Sequence, residues 1–184
     1  DDIELFNQNS LNALLKTIEE PTKNNFFLLI NNKSRPLLNT IKSRSLEIKI
    51  SLNEKQRLEI IENLIKLYAI EIFLDPKTSN LSPGNYIKFN HLCKEYDISL
   101  TNQFIENLSL LLNLYKKNKK SLFINFAFFL VDYYFNELNK KNIFKNNKIY
   151  EIKNYTIKNL NNFLLYNINQ KALINAISSK IDHE

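Results

Sequence analysis

Arginine is the scarce cation of this chain. Of its 25 basic residues, 22 are lysine, and Arg35, Arg44 and Arg57 are the exceptions. Arg44 stands in Ser43-Arg44-Ser45, just ahead of an alternating apolar run. A guanidinium presents a planar fork of donors that an ammonium cannot offer. Its plain use here is a pair with a nearby surface carboxylate; its other use is directed recognition of an oxyanion. Asn31 and Asn32 follow an apolar run and read in two ways. They are ordinary turn residues, or polar groups beyond the carboxyl end of a parallel strand, where ligands of such sheets sit. Glu19-Glu20-Pro21 closes a predicted helix with acids, which the helix dipole disfavours. Either a partner offsets that cost or the acids are simply solvated.

Other chemistries find little support. Cys93 is the single cysteine, so neither an internal disulfide nor a cysteine-cluster zinc site is expected, and a reducing, cytoplasmic setting fits. His91 and His183 have no metal-ligand company, and no serine, histidine and acid arrangement suggests a nucleophilic enzyme. No signal peptide is visible. The most apolar window, residues 122–131, contains Asn125 and is about half the length that spans a bilayer.

Charge is unevenly spread. Residues 1–50 carry seven basic and six acidic groups, 51–97 six and seven, and 98–184 twelve and six. The formal +6 therefore resides in the last segment. Lys116, Lys117, Lys119 and Lys120 join two predicted helices, and Lys140, Lys141, Lys145 and Lys148 join the next two. The plain reading is a solvated loop beside a helix carbonyl pole. The functional one is weak, salt-dependent attraction to DNA phosphates. No aromatic residues interleave these clusters, so base stacking is not expected.

These residues need elements to hold them. Leu11, Leu14, Leu15 and Ile18 fall at helical spacing, with Asn9 or Ser10 as cap and Pro21 as terminator. Phe26–Ile30 is a continuous apolar run, as in a parallel strand covered on both faces. Ser34 and Pro36 predict a short helix over 36–41. Leu46–Ile50 alternates like a strand with one wetter face. This order implies a parallel α/β sheet. Two strands do not complete one, and the chain starts at Asp1 and contains no methionine. A fragment lacking an N-terminal portion is the expectation.

Beyond residue 50 the pattern is helical. Asn53 or Ser51 caps a helix to about Ala69, and a second runs from Asn85 to Tyr96. Four more follow, the first capped by Thr101 and the second by Ser121. The third spans about 147–166 and the fourth about 170–181. The helix from Ser121 is apolar nearly all round and belongs at the centre of its bundle.

Four blocks carry a family resemblance: Asp1-Asp2-Ile3-Glu4, Asn12-Ala13-Leu14-Leu15-Lys16-Thr17-Ile18-Glu19-Glu20-Pro21, Phe27–Asn32, and Leu37-Leu38-Asn39-Thr40-Ile41-Lys42-Ser43-Arg44-Ser45. Together they resemble the AAA+ clamp-loader family of bacterial DNA polymerase III, and within it the delta prime branch. The resemblance covers about the first quarter of the chain. It implies the C-terminal part of a parallel α/β AAA+ domain over 1–50, a helical lid over 51–97 and a collar-like helical bundle over 98–184, mainly α in all.

The resemblance also assigns roles. Asp1 and Asp2 fall on the Walker B acidic end of a strand, although terminal acids in a fragment are expected to fray. Asn31 or Asn32 falls on the sensor 1 position. Arg44 falls on an arginine that, in the family, reaches into a neighbouring subunit's nucleotide site. The motif's cysteine is Ser45 here, which is not the phosphate contact. The sensor 2 arginine is absent: Leu81-Ser82-Pro83-Gly84 occupies its place, as in delta prime subunits. Gly84 is the only glycine, so the chain holds no GxxxxGK[ST] phosphate loop.

The implied function is support of ATP-driven loading of the sliding clamp on primed DNA, with no cofactor bound here and Mg-ATP in the neighbour. The implied partners are ATPase and delta-type clamp-loader subunits, with no membrane. The chain is expected to have no activity alone and to belong to a DNA-directed DNA polymerase, a nucleotidyltransferase. Two rivals stand beside this reading: an ATP-hydrolysing subunit truncated before its phosphate loop, and a non-ATPase helical module that binds nucleic acid.

Overall fold

The computed structural model describes residues 3, 6–20, 23–31, 37–100, 103–140 and 146–182. The chain divides into two compact units, Asp1–Ser51 and Leu52–Glu184, and each is taken by itself.

In the first unit, helix α1 spans Gln8–Glu19. Its N-cap is Asn7, whose side-chain oxygen accepts the Ser10 N–H at 2.8 Å. The expected caps, Asn9 and Ser10, lie inside the helix: an Asn side chain reaches the amide three residues on, so the true cap sits earlier. Leu11 is buried against Ile3 and Ile41, with Leu14, Leu15 and Ile18 partly buried around them. Helix α2 spans Asn39–Lys42 and buries Ile41 completely. It starts later than the predicted 36–41, and residues 34 and 36 lie outside those described.

The two predicted strands do not form. Among the described residues there is no β-strand, although Phe26–Ile30 and Leu46–Ile50 were the natural candidates for a parallel sheet. Phe26, Leu28, Leu46 and Ile50 are each at least 87% exposed. A strand is stabilised by ladder partners, and two short segments alone do not make a stable sheet. One backbone bond remains from that arrangement: the Ile3 N–H donates to the Ile30 carbonyl at 3.1 Å. The chain is mainly helical as expected; the α/β sheet is the correction. The Ser45 hydroxyl is also buried here, with no hydrogen-bond partner among the described residues.

The second unit begins with α3, Glu54–Leu67. Asn53 and Gln56 form a reciprocal capping box, the Gln56 N–H donating to Asn53 Oδ1 at 2.9 Å and the Asn53 N–H to Gln56 Oε1 at 3.1 Å. Two amide donors at the helix start are thereby satisfied. The next elements are α4, Pro76–Ser79, and α5, Pro83–Tyr96. Asp75 caps α4 by accepting the Lys77 N–H at 3.0 Å.

Buried polar groups fasten these helices. Arg57 Nη1 donates to the Pro76 and Leu81 carbonyls, both at 3.1 Å. Asn90 Oδ1 accepts from the Phe73 and Leu74 amides at 2.8 and 3.0 Å, and its Nδ2 donates to the Glu71 carbonyl at 2.7 Å. One side chain thus satisfies three backbone groups of an irregular segment that has no ladder of its own. The Tyr86 hydroxyl donates to the Leu74 carbonyl at 2.8 Å.

Four helices follow: α6 Phe104–Asn118, α7 Ser121–Lys140, α8 Asn146–Tyr166 and α9 Gln170–Asp182. The α7 helix packs against both α6 and α8 and buries Phe126, Ala127, Leu130 and Val131 completely. That central place follows from its nearly all-round apolar surface. Ser121 is the first residue of α7, and Thr101 lies outside the described residues. Gln170, at the start of α9, donates to the Ser109 carbonyl of α6 at 2.9 Å.

A single buried cluster runs from Ile61 through Phe89 and Phe126 to Ile177. It continues across residues 97–98, where the sequence suggested a lid-to-bundle boundary. Phe89 of α5 stacks on Phe126 of α7, with ring centroids 4.7 Å apart. No helix among the described residues is long and apolar enough to cross a membrane.

Replacing Asn90 with Ala leaves the Phe73 and Leu74 amides without acceptors. We expect a loss of about 1–3 kcal/mol per orphaned amide, seen as a lower urea midpoint. Ser45→Ala removes an unsatisfied hydroxyl and is expected to raise the same midpoint, by about 1 kcal/mol of stability.

Candidate functional site

The residue with the clearest chemical potential, Arg44, is positioned by α2 and the turn that follows. Ile41 is fully buried and anchors this turn on α1. The Ser43 N–H donates to the Asn39 carbonyl at 2.9 Å, and the Arg44 N–H to the Ile41 carbonyl at 3.1 Å. A short helix thus ends in a tight, hydrogen-bonded turn, and the arginine leaves it at the surface.

The guanidinium makes three contacts inside its own unit. Its Nε pairs with Glu19 Oε1. Its Nη1 donates to the Thr40 carbonyl at 3.1 Å and to Ser43 Oγ at 3.3 Å. Ser43 Oγ in turn donates to the same Thr40 carbonyl at 3.1 Å. The Arg44 and Glu19 side chains are 41% and 42% exposed, so the pair lies at the surface. The carboxylate partner foreseen as the plain use of Arg44 is therefore present, and it is Glu19. No described residue accepts from Nη2.

Glu19 is the last residue of α1. Its position against the helix dipole was visible in the sequence, but its partner, 25 residues away, was not. The Arg44 cation beside it offsets the unfavourable meeting of a carboxylate with the helix carbonyl pole.

The other site candidates are spread out. Asn31 follows Ile30, partly buried and not free of partners. Asp1, Asp2 and Asn32 lie outside the described residues. The Ile3–Ile30 backbone bond does connect the residue after the acidic pair with the residue before Asn31.

The lysine cluster lies in the second unit. Lys116 and Lys117 occupy the last turn of α6, where cations suit the carbonyl pole. Lys116 Nζ sits 5.4 Å from the Phe163 ring centroid, and Lys119 Nζ 5.8 Å from that of Tyr115. Two of the four ammonium groups thus rest on the protein's own rings. Sequence spacing missed the Phe163 contact because α8 supplies it. Lys119 caps α6 in the left-handed conformation, and Lys120 follows directly at the surface.

No group of three metal-ligating side chains exists among the described residues. His91 is exposed and lies 3.5 Å from Glu95 of the same helix. Burial pushes the Cys93 thiol up to about 12, so at neutral pH it is a protonated, unreactive core residue. Among the described residues, the arginine turn combines a surface guanidinium with contacts that fix its place.

Comparison with known proteins agrees with the motif that surrounds this turn. The family profile described as "DNA polymerase III, delta subunit" matches residues 1–54. The "DNA polymerase III subunit gamma" of Buchnera aphidicola subsp. Schizaphis graminum (strain Sg) is 27% identical over 160 residues, covering 83% of this chain and 41% of that protein. The chain therefore spans less than half the length of this curated relative. No solved structure matches it significantly. The matched residues include the whole α1–α2 unit with Glu19 and Arg44, so the arginine turn lies within the part of the chain that is similar to DNA polymerase III subunits.

Proposed function

We propose that this chain is part of a delta prime-like clamp-loader subunit, in which Arg44 serves the ATP site of a neighbouring subunit. In this reading the neighbour holds Mg-ATP. The assembly, a cytoplasmic part of the DNA polymerase III machinery, loads the sliding clamp onto primed DNA.

The observation that carries the reading is the placement of Arg44. It is a surface guanidinium on an anchored turn, and no described residue accepts from its Nη2. Phosphoryl transfer spreads negative charge over the γ-phosphate oxygens in the transition state. A guanidinium supplied by another subunit stabilises that charge, and such a residue is worth roughly 10³–10⁵ in rate in well-studied nucleotide hydrolases. A lysine would bring a point charge without the fork. The pair with Glu19 is compatible with this role. Exposed ion pairs contribute only about 0.2–1 kcal/mol, a small obstacle to a phosphate that offers more charge.

A second reading has an observation in its favour: the curated relative is a subunit named gamma. In that reading the full subunit binds nucleotide itself. Titrating the complete subunit, free of its partners, with a fluorescent ATP analogue separates the two. Saturable binding supports the gamma-like reading, and its absence supports the delta prime-like one.

For the trans role, we expect Arg44→Ala in the complete subunit to leave folding and assembly intact. DNA- and clamp-stimulated ATP turnover at the adjoining site falls by roughly 10³-fold or more. Arg44→Lys restores little of it. Turnover equal to that of the unaltered assembly removes the proposed role.

A further inference from the structure

We propose that Glu19 is the positioning residue of Arg44. It holds the guanidinium so that Nη2 leads outward. The inference rests on the trans role proposed above and names a second residue on which that role depends.

The donor arrangement carries the argument. An arginine side chain has five N–H groups: one on Nε and two on each terminal nitrogen. Glu19 takes the Nε edge, while the Thr40 carbonyl and Ser43 Oγ meet Nη1. Three acceptors from two elements therefore hold two of the three nitrogens, Glu19 on the edge that Nε shares with Nη2 and the other two at Nη1. Among the described residues none meets Nη2, on a side chain that remains 41% exposed. A guanidinium is rigid and planar, so fixing two of its nitrogens fixes the direction of the third. Long side chains otherwise lose rotamer freedom when they engage a ligand. Holding Arg44 in advance shifts that ordering to the folding of the α1–α2 unit. The hydroxyl and the carbonyl come from the Arg44 turn itself. Glu19 is the one charged partner, and it comes from α1.

Position in the sequence supports a role beyond stability. A carboxylate at the last residue of a helix is electrostatically misplaced. A purely structural partner for Arg44 could have come from a less costly position.

The test compares Glu19→Ala, Glu19→Gln, Arg44→Ala and the Glu19→Ala/Arg44→Ala double variant in assembled clamp loader, reading kcat and KM for ATP. We expect Glu19→Ala to lower kcat about tenfold with KM nearly unchanged, the pattern for a lost transition-state interaction. Glu19→Gln, which keeps an oxygen acceptor of the same reach, recovers most of the loss. In the Arg44→Ala background the Glu19 change adds nothing, because the two residues act as one unit.

A second readout does not depend on turnover. The Nε–H NMR spectrum of this chain holds three arginine signals, from Arg35, Arg44 and Arg57. The Arg44 signal is expected to be slow in solvent exchange, and to become fast in Glu19→Ala. Equal loss from Glu19→Ala with and without Arg44 overturns the positioning role, as does an unchanged Arg44 signal. If Arg44→Ala itself leaves turnover intact, the trans role falls first and the positioning role with it. A normal Arg44 effect beside a silent Glu19→Ala removes the positioning role alone.

Discussion

The contact between Glu19 and Arg44 decides how the first unit presents its chemistry. Each partner is costly or idle without the other. The carboxylate stands at the negative pole of α1, a placement that costs about 0.3–1 kcal/mol. The exposed pair returns a similar amount, about 0.2–1 kcal/mol. The two magnitudes nearly cancel, so the contact adds little to the stability of the fold. What remains is geometry: a cation kept at one place and angle on the surface. An interaction of nearly zero net worth is also easily exchanged for a stronger one, which is compatible with the trans role proposed for Arg44.

That geometry needs a firm base, and the helices provide it. Ile41, Leu11 and Ile3 bury one small apolar cluster beneath the turn. The segments on either side offer no such support. Phe26–Ile30 and Leu46–Ile50 are largely exposed, and the second begins two residues after Arg44. Ordered helix therefore defines the arginine from one side only. This arrangement makes the contacts of Nε and Nη1 more important than they would be within a complete sheet.

The helices could be read from the sequence because their information is local. Period, caps and breakers lie within a few residues of one another, and the Asn53–Gln56 box is an example. Asn7 was missed because Asn9 and Ser10 offered equally good local signals. The strands were misread for a different reason. An apolar run shows what a segment is able to bury, but a ladder requires partners that the run does not encode. Long-range polar contacts were equally hidden. Arg57 reaches 19 and 24 residues along the chain, and Asn90 reaches back 16 to 19. Their residue types alone suggest surface positions. Arg44 stood out through its scarcity and its motif, whereas Glu19 stood out only as a misplaced acid. The structure joined the two observations.

The aromatic stack of Phe89 on Phe126 has a mechanical consequence. It lies inside a buried cluster with members from α3 to α9, and it is a direct ring contact between α5 and α7. Close-packed interiors transmit strain rather than absorb it. Any tilt of α5 against α7 would therefore have to slide or part those two rings.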